Sequence, residues 1–302
     1  MAATKVFHRS AMSIALVLAC SNVSAFENGT TGYPRGIVTV MSGAVGQPGE
    51  TYIYTYNTYT DIASIKDGGG KKVFPKAKGR VEAHAVRLVH VLKDAPKIFG
   101  GDLALEVALP YVEGHMNIPS LGPNGKGTTS GLADPMFGAL VSWVSPTYLQ
   151  NVAVDVVAPW GKYDKNDLLN SGANSSAAYL SYAFTWFPVQ YFELSSKISM
   201  NYSFRNPDTD YKSGVQLIAD YGANFRLGPN WLAGVGGFVS TQLNDDEQDG
   251  RSVGNRSRST KFGPQVGYAK RGWGVFAAYQ KDVYTRNAPS GDTFMINGFI
   301  KF

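Results

Sequence analysis

The 302-residue sequence lacks any run of about 18 apolar residues, the length that a transmembrane helix needs. Charge is also scarce, since Asp, Glu, Lys and Arg make up 17% of the chain, against roughly 25% in a soluble domain. Cys20 is the single cysteine, so no disulfide can form within one chain. The net charge of +5 is too small to indicate a nucleic-acid-binding surface. These shortages exclude a helical membrane protein and a disulfide-stapled fold.

The first 25 residues have the features of a secretory signal peptide. Lys5 and Arg9 form a positive start, residues 11–19 are apolar but too short to span a membrane, and Val23-Ser24-Ala25 is a small-residue cleavage site. We therefore predict export and a mature chain that begins at Phe26. An alternative is that Val17-Leu18-Ala19-Cys20 is a lipoprotein box, which would leave a lipid on Cys20.

The chain does contain segments in which apolar and polar side chains alternate. In residues 192–204, apolar and polar side chains take turns at every second position, a period that belongs to strands and not to amphipathic helices. Similar segments follow one another along the chain, and we predict twelve strands. They lie near residues 51–65, 80–92, 98–110, 134–144, 148–160, 177–187, 190–204, 211–227, 231–243, 258–270, 273–285 and 291–302.

The connections between these segments alternate in length. Short turns, such as 145–147 and 228–230, alternate with long loops, such as 111–133 and 244–257. Outer-membrane barrels have short periplasmic turns and long extracellular loops, and only a closed sheet or a helix satisfies its backbone in hydrocarbon. The sequence therefore predicts an all-β, transmembrane, antiparallel up-and-down β-barrel of about 12 strands over residues 51–302, in the cell outer membrane.

Aromatic residues near segment ends fit the interfacial girdles of such a barrel, and we assign Tyr52, Tyr54 and Tyr56 to one of them. The last segment should close the barrel against residues 51–65. Its apolar face is predicted to be the assembly signal for the barrel assembly machinery and comprises Phe294, Ile296, Ile300 and Phe302.

Residues 26–50 precede the first strand, are rich in Gly and Pro, and have no sustained period. We predict an irregular periplasmic or lumenal segment. Two alternatives stay open, a tether outside the barrel and a plug inside it.

A series of short motifs occurs in order along the mature chain: Tyr33-Pro34-Arg35-Gly36, Gln47-Pro48-Gly49, Ser130-Gly131-Leu132-Ala133-Asp134-Pro135, Ala158-Pro159-Trp160-Gly161-Lys162-Tyr163-Asp164, Asn206-Pro207-Asp208-Thr209-Asp210-Tyr211, Gln242-Leu243-Asn244-Asp245-Asp246, Gly263-Pro264-Gln265 and Arg286-Asn287. Together they resemble the outer-membrane proteins assigned to the meta-pathway of phenol degradation. This chain has Ala133 and Trp160 where that family often has Gly and Thr. The resemblance implies an outer-membrane barrel that passes small hydrophobic or aromatic compounds inward.

The alternation also predicts which polar residues point into the lumen. The predicted lumen-lining residues are Glu106, Asp155, Glu193, Lys197, Asp220, Asn224, Arg226, Lys261, Gln265 and Lys301. They could line an aqueous pathway or form a salt-bridge network that fills the barrel, since twelve strands lie between the filled and the open sizes.

Outside the lumen, an acidic loop with Asp245 and Asp246 lies close to the basic run 255–261. That run could meet lipopolysaccharide phosphates or pair with the acidic loop. No metal ligand pattern, catalytic motif or cofactor site is apparent.

We expect a passive channel, monomeric or weakly oligomeric, for small hydrophobic or aromatic compounds, and not an enzyme. Its expected partners are outer-membrane lipid, lipopolysaccharide and small hydrophobic solutes. One alternative is a sealed barrel with a structural or surface-interaction role. A more distant one is an outer-membrane lipolytic enzyme, which would need Ser and His side chains in reach of each other.

Overall fold

A computed structural model describes residues 34–302, so the expected signal peptide and Cys20 lie outside the described residues. The strands are β1 (Thr51–Ile62), β2 (Ser64–Lys66), β3 (Lys78–Val91), β4 (Asp102–Asn117), β5 (Lys126–Leu132), β6 (Met136–Val144), β7 (Tyr148–Val157), β8 (Ala177–Val189), β9 (Phe192–Ser203), β10 (Tyr211–Lys212), β11 (Gln216–Leu227), β12 (Trp231–Gln242), β13 (Asp246–Gln248), β14 (Arg251–Gly254), β15 (Arg258–Lys270), β16 (Trp273–Arg286), β17 (Ala288–Ser290) and β18 (Thr293–Lys301). A 3-10 helix covers Pro119–Gly125. Within residues 34–302, no helix is long and apolar enough to cross a membrane.

Twelve of these strands close into one antiparallel barrel, as predicted. Around the wall the order is β1, β3, β4, β6, β7, β8, β9, β11, β12, β15, β16 and β18. The last strand pairs with the first, from Tyr52 opposite Lys301 to Thr60 opposite Thr293. The closing seam ends with the amide of Phe302 donating to Thr51 O at 2.8 Å.

Three predicted segments differ from the observed strands. The predicted strand 51–65 divides into β1 and β2, and β2 pairs with β17 outside the barrel wall. β4 continues beyond residue 110 to Asn117, because its first half pairs with β6 and its second half pairs with the extra strand β5. The predicted long loop 111–133 therefore contains a strand end, the 3-10 helix and β5. The predicted strand 211–227 divides into β10 and β11, and β10 joins β13 and β14 in a small sheet beyond the barrel rim.

The buried charged side chains lie inside the wall, and the outer face of the wall is mostly apolar. In β9, Glu193, Ser195 and Lys197 are buried, whereas Ile198 and Met200 are 40% and 44% exposed. A protein surrounded by water does not bury its charges and expose a continuous apolar belt. The outer face is therefore suited to the hydrocarbon core of a membrane. At the turn rim, Trp231, Tyr268 and Trp273 lie ring against ring at 4.9 and 5.7 Å, as in an interfacial girdle.

Candidate functional site: the barrel lumen

Residues 34–50, which we call the lumenal segment, run through the barrel interior. Carboxylates of the wall hold its backbone: the amides of Gly36 and Val38 donate to Asp220 at 2.8 and 3.1 Å, and the amide of Met41 donates to Glu193 at 2.7 Å. Backbone amides bonded to a carboxylate form strong, charge-assisted hydrogen bonds. The segment is therefore fixed along the β9–β11 side of the lumen.

Amide side chains reach the same segment from the opposite wall. Gln280 donates to Gly36 O at 2.9 Å, and Asn297 donates to Ile37 O at 3.1 Å. Gly222 of β11 allows the close approach, because a Cβ there would lie 1.9 Å from Thr39 O. The lumenal segment thus bridges the two sides of the barrel through its backbone.

A second group of buried charges lies along β3, β4 and β7. Arg87 forms an ion pair with Glu106, whose side chain is 1% exposed. Asp155 lies beside Glu106 across Gly138, where a Cβ would be 1.9 Å from Asp155 Oδ1 and 3.0 Å from Glu106 Cγ. This glycine makes room for two neighbouring carboxylates on the lumen wall.

Eight of the ten predicted lumen-lining residues are buried inside the barrel, and the structure places the other two at the turn rim. The buried residues are Glu106, Asp155, Glu193, Lys197, Asp220, Asn224, Lys261 and Gln265. Four of the eight, Glu193, Asp220, Asn224 and Gln265, hydrogen-bond the lumenal segment.

The two residues at the turn rim are exposed. Arg226 lies over the Phe187 ring at 5.0 Å, and Lys301 forms an ion pair with Glu50. The four residues predicted as the assembly signal, Phe294, Ile296, Ile300 and Phe302, are 41% to 71% exposed on the outer face.

Three cavities follow one another along the lumenal segment, and the first two lie on its β1–β18 side. The upper cavity, on the loop side, has a volume of about 260 Å³ and is lined by residues that include Arg35, Tyr56 and Phe238. The lower cavity has a volume of about 230 Å³ and includes Tyr56, Met295 and Phe299. A rim cavity of about 300 Å³ shares Phe299 with the lower cavity and opens by the turns.

The assignment of Tyr52, Tyr54 and Tyr56 to an outer girdle was wrong. All three line the lower cavity, with successive rings 6.0 and 6.4 Å apart, and the Arg87 guanidinium lies 5.4 Å from the Tyr54 ring. Their even positions could have identified them as lumen-facing residues, because these positions put all three side chains on one face of β1. The other face carries Ile53, which points outward.

The acidic and basic loop segments pair with each other in part. Asp245 accepts hydrogen bonds from Ser252 and from Arg256, and these contacts lower the pKa of its carboxyl. Asp246 is fully buried, and burial raises its pKa to about 6 although Tyr211 and Gln242 donate to it. These carboxylates hold the β13–β14 hairpin in place.

The described part of the chain offers no metal centre. Within residues 34–302, no group of three or more His, Cys, Asp or Glu side chains could hold a metal ion. His84 hydrogen-bonds Asn57 at 2.9 Å and His90 hydrogen-bonds Thr51 at 2.8 Å, so both histidines have neighbours on the barrel wall.

The fold is similar to that of solved outer-membrane barrels. The COG4313 outer membrane channel from Pseudomonas putida F1 superposes with a TM-score of 0.76 at 18% identity, covering 87% of this chain and 98% of that one. The β domain of the Bordetella autotransporter BrkA gives a TM-score of 0.50 at 12% identity, covering 85% of this chain and all of that one. No curated protein matches the sequence.

A family match covers residues 63–298, which is most of the chain and nearly the whole barrel. It agrees with the resemblance carried by the motifs, and the closed twelve-stranded wall agrees with the barrel that this resemblance implies. The chain is therefore an outer-membrane β-barrel that belongs to the family described as "Putative MetA-pathway of phenol degradation".

Proposed function

We propose that the protein is a passive channel for small hydrophobic or aromatic compounds, with residues 34–50 forming its constriction. The observation that carries the proposal is the row of three cavities beside the lumenal segment. Tyr56 belongs to the linings of the upper and lower cavities, and Met41, Phe276 and Phe299 belong to those of the lower and rim cavities. A compound could therefore pass from loops to turns by displacing a few side chains.

The lining of the lower cavity supports the substrate class. It combines stacked tyrosine rings with Met295 and Phe276, so apolar surface predominates. An apolar cavity of about 150 Å³ is enough to bind benzene in another protein. The lower cavity, at about 230 Å³, is large enough for a compound with one substituted ring.

The comparisons support the same proposal. The Pseudomonas putida protein with this fold is named as an outer membrane channel, and the family is described by phenol degradation, a pathway that consumes an aromatic compound. His84 and His90 hydrogen-bond Asn57 and Thr51 instead of a serine, so neither histidine supports the lipolytic alternative.

The test is efflux of benzenesulfonate, a single-ring aromatic that lipid retains, from proteoliposomes. Tyr56→Ala should increase efflux several-fold, because Tyr56 separates two cavities, and toluene should slow efflux through the wild-type protein by occupying the lower cavity. Tyr59→Ala is the matched control, since Tyr59 is 36% exposed on the outer face of the same strand.

The sealed-barrel alternative predicts a different result. If folded protein lacking residues 26–50 releases no more benzenesulfonate than empty vesicles, the channel proposal fails. If efflux occurs but toluene does not affect it, a pathway exists and the hydrophobic substrate class is refuted.

A further inference from the structure

Two arginines face each other on the outer wall of the barrel. Arg258 of β15 lies directly opposite Arg286 of β16 in the antiparallel register. Their neighbours Ser259 and Thr285 are buried on the lumen side, so the two arginines point to the outside. Side chains in such a pair have Cβ atoms about 5 Å apart, and like charges at that separation destabilise a sheet.

No carboxylate offsets this repulsion. Within residues 34–302, neither Arg258 nor Arg286 forms an ion pair, and the adjacent Arg256 is already paired with Asp245. Nε of Arg286 is buried without a hydrogen-bond acceptor in the described chain, while its guanidinium lies 5.3 Å from the Tyr284 ring. The pair thus places two guanidinium groups on the outer wall without an acidic partner in the described part of the chain.

Their height on the barrel indicates which molecule meets them. β16 is 14 residues long, which at about 3.3 Å per residue and a tilt of about 40° corresponds to about 33 Å along the membrane normal. Trp273 at the turn rim begins this strand and Arg286 ends it. The apolar band of an outer-membrane barrel is about 25 Å tall, so the arginines lie just above it on the loop side.

We propose that Arg258 and Arg286 bind a phosphate group on the lipid anchor of lipopolysaccharide. Guanidinium groups match phosphate oxygens with paired hydrogen bonds, and a phosphate dianion would remove the repulsion between them. Below the pair, Tyr284, Val283 and Phe262 are exposed on the outer face, where acyl chains of the same lipid would lie. The loop side faces outward, where lipopolysaccharide is the phosphorylated lipid.

The experiment compares the full-length wild-type protein with the double variant Arg258→Gln/Arg286→Gln, both refolded without lipopolysaccharide. The control is Arg251→Gln/Arg256→Gln, which removes the same charge from the hairpin and loop that lead into β15. Each protein is titrated with purified lipopolysaccharide, with enzymatically dephosphorylated lipopolysaccharide, with phosphatidylglycerol micelles and with inorganic phosphate, and the unfolding temperature is recorded.

Lipopolysaccharide should raise the unfolding temperature of the wild type and the control. A basic residue near a charged lipid surface contributes about 1 kcal/mol, so the double variant should bind about 30-fold more weakly. Without lipid, that variant should be at least as stable as the wild type because the repulsion is gone. The proposal is overturned if the double variant responds to lipopolysaccharide like the control, or if dephosphorylated lipopolysaccharide, phosphatidylglycerol or phosphate gives the full wild-type shift.

Discussion

Replacing Asp220 with alanine should release the start of the lumenal segment while the barrel stays folded. The amides of Gly36 and Val38 donate to this carboxylate at 2.8 and 3.1 Å, and the side chain is 1% exposed. A hydrogen bond to a charged group contributes about 1.5–3 kcal/mol, so the loss of two should weaken docking of residues 36–38 by about 3–6 kcal/mol. The lower figure corresponds to a roughly 150-fold larger released population.

Hydrogen–deuterium exchange of the peptide that contains residues 35–40 measures this release directly. Asp134→Ala is the matched control, since Asp134 is also buried and also accepts two backbone amides, from Gly161 and Ala173 at 2.7 Å each. Exchange in the lumenal peptide should accelerate in the Asp220 variant and stay at the wild-type rate in the Asp134 variant. Heat-dependent mobility in gel electrophoresis verifies that each barrel has folded.

Wild-type exchange of the lumenal peptide in a folded Asp220 variant would show that the Asp220 hydrogen bonds do not hold the segment. In that case the contacts from Gln280 and Asn297 on the opposite wall would suffice to hold the segment. Benzenesulfonate efflux should rise together with exchange, because a released segment leaves a wider passage.

The remaining predictions concern the barrel surface and the loop side. Ile198→Arg should reduce the free energy of folding into liposomes by about 2–4 kcal/mol, because Ile198 faces lipid. Lys197→Arg introduces the same residue on the lumen side and keeps the positive charge, so it should fold normally. Equal losses for both variants would contradict the inside–outside assignment. Burial raises the pKa of Asp246 to about 6, above its ordinary value of 3.8, so the folded hairpin binds the proton more tightly. The stability of the hairpin should therefore be greatest below about pH 4 and decline as pH rises through 6. Hydrogen exchange of β13 at different pH values measures this stability. If Asp246→Asn shows the same pH profile as the wild type, the prediction is contradicted.

The twelve wall strands could be predicted because a strand's period of two is a local property of the sequence. Each strand faces lumen on one side and lipid on the other, so buried and more exposed side chains alternate along β9 and along β11 as far as Phe225. The extension of β4 to Asn117 could not be predicted in this way, because its second half pairs with β5, whose Gly- and Thr-rich sequence has no alternating apolar face.

The path of the lumenal segment was beyond sequence reasoning for a different reason. Gly36 meets Asp220 across 184 positions, and Gly43 meets Thr185 across 142. In each contact the segment contributes a backbone amide, which every residue except proline possesses. These backbone contacts leave no signal in the sequence of the segment, and only a few of its side chains, such as Thr39 with Gln265 and Arg35 with Ser240, add hydrogen bonds of their own. The wall contributes the polar side chains to most of these contacts.

In the proposed channel, the anchoring contacts and most of the solute pathway lie on different sides of the lumenal segment. The carboxylates that anchor the segment belong to β9 and β11, whereas the upper and lower cavities lie toward β1 and β18, where Tyr56 lines both. Hydrogen bonds to charged groups fix the anchored side, while van der Waals contacts on the cavity side can be exchanged for contacts with an apolar solute at little net cost. Under the proposed function, a solute that displaces Tyr56 would leave the hydrogen bonds of Asp220 intact, so the proposed passage would not require the lumenal segment to leave the barrel.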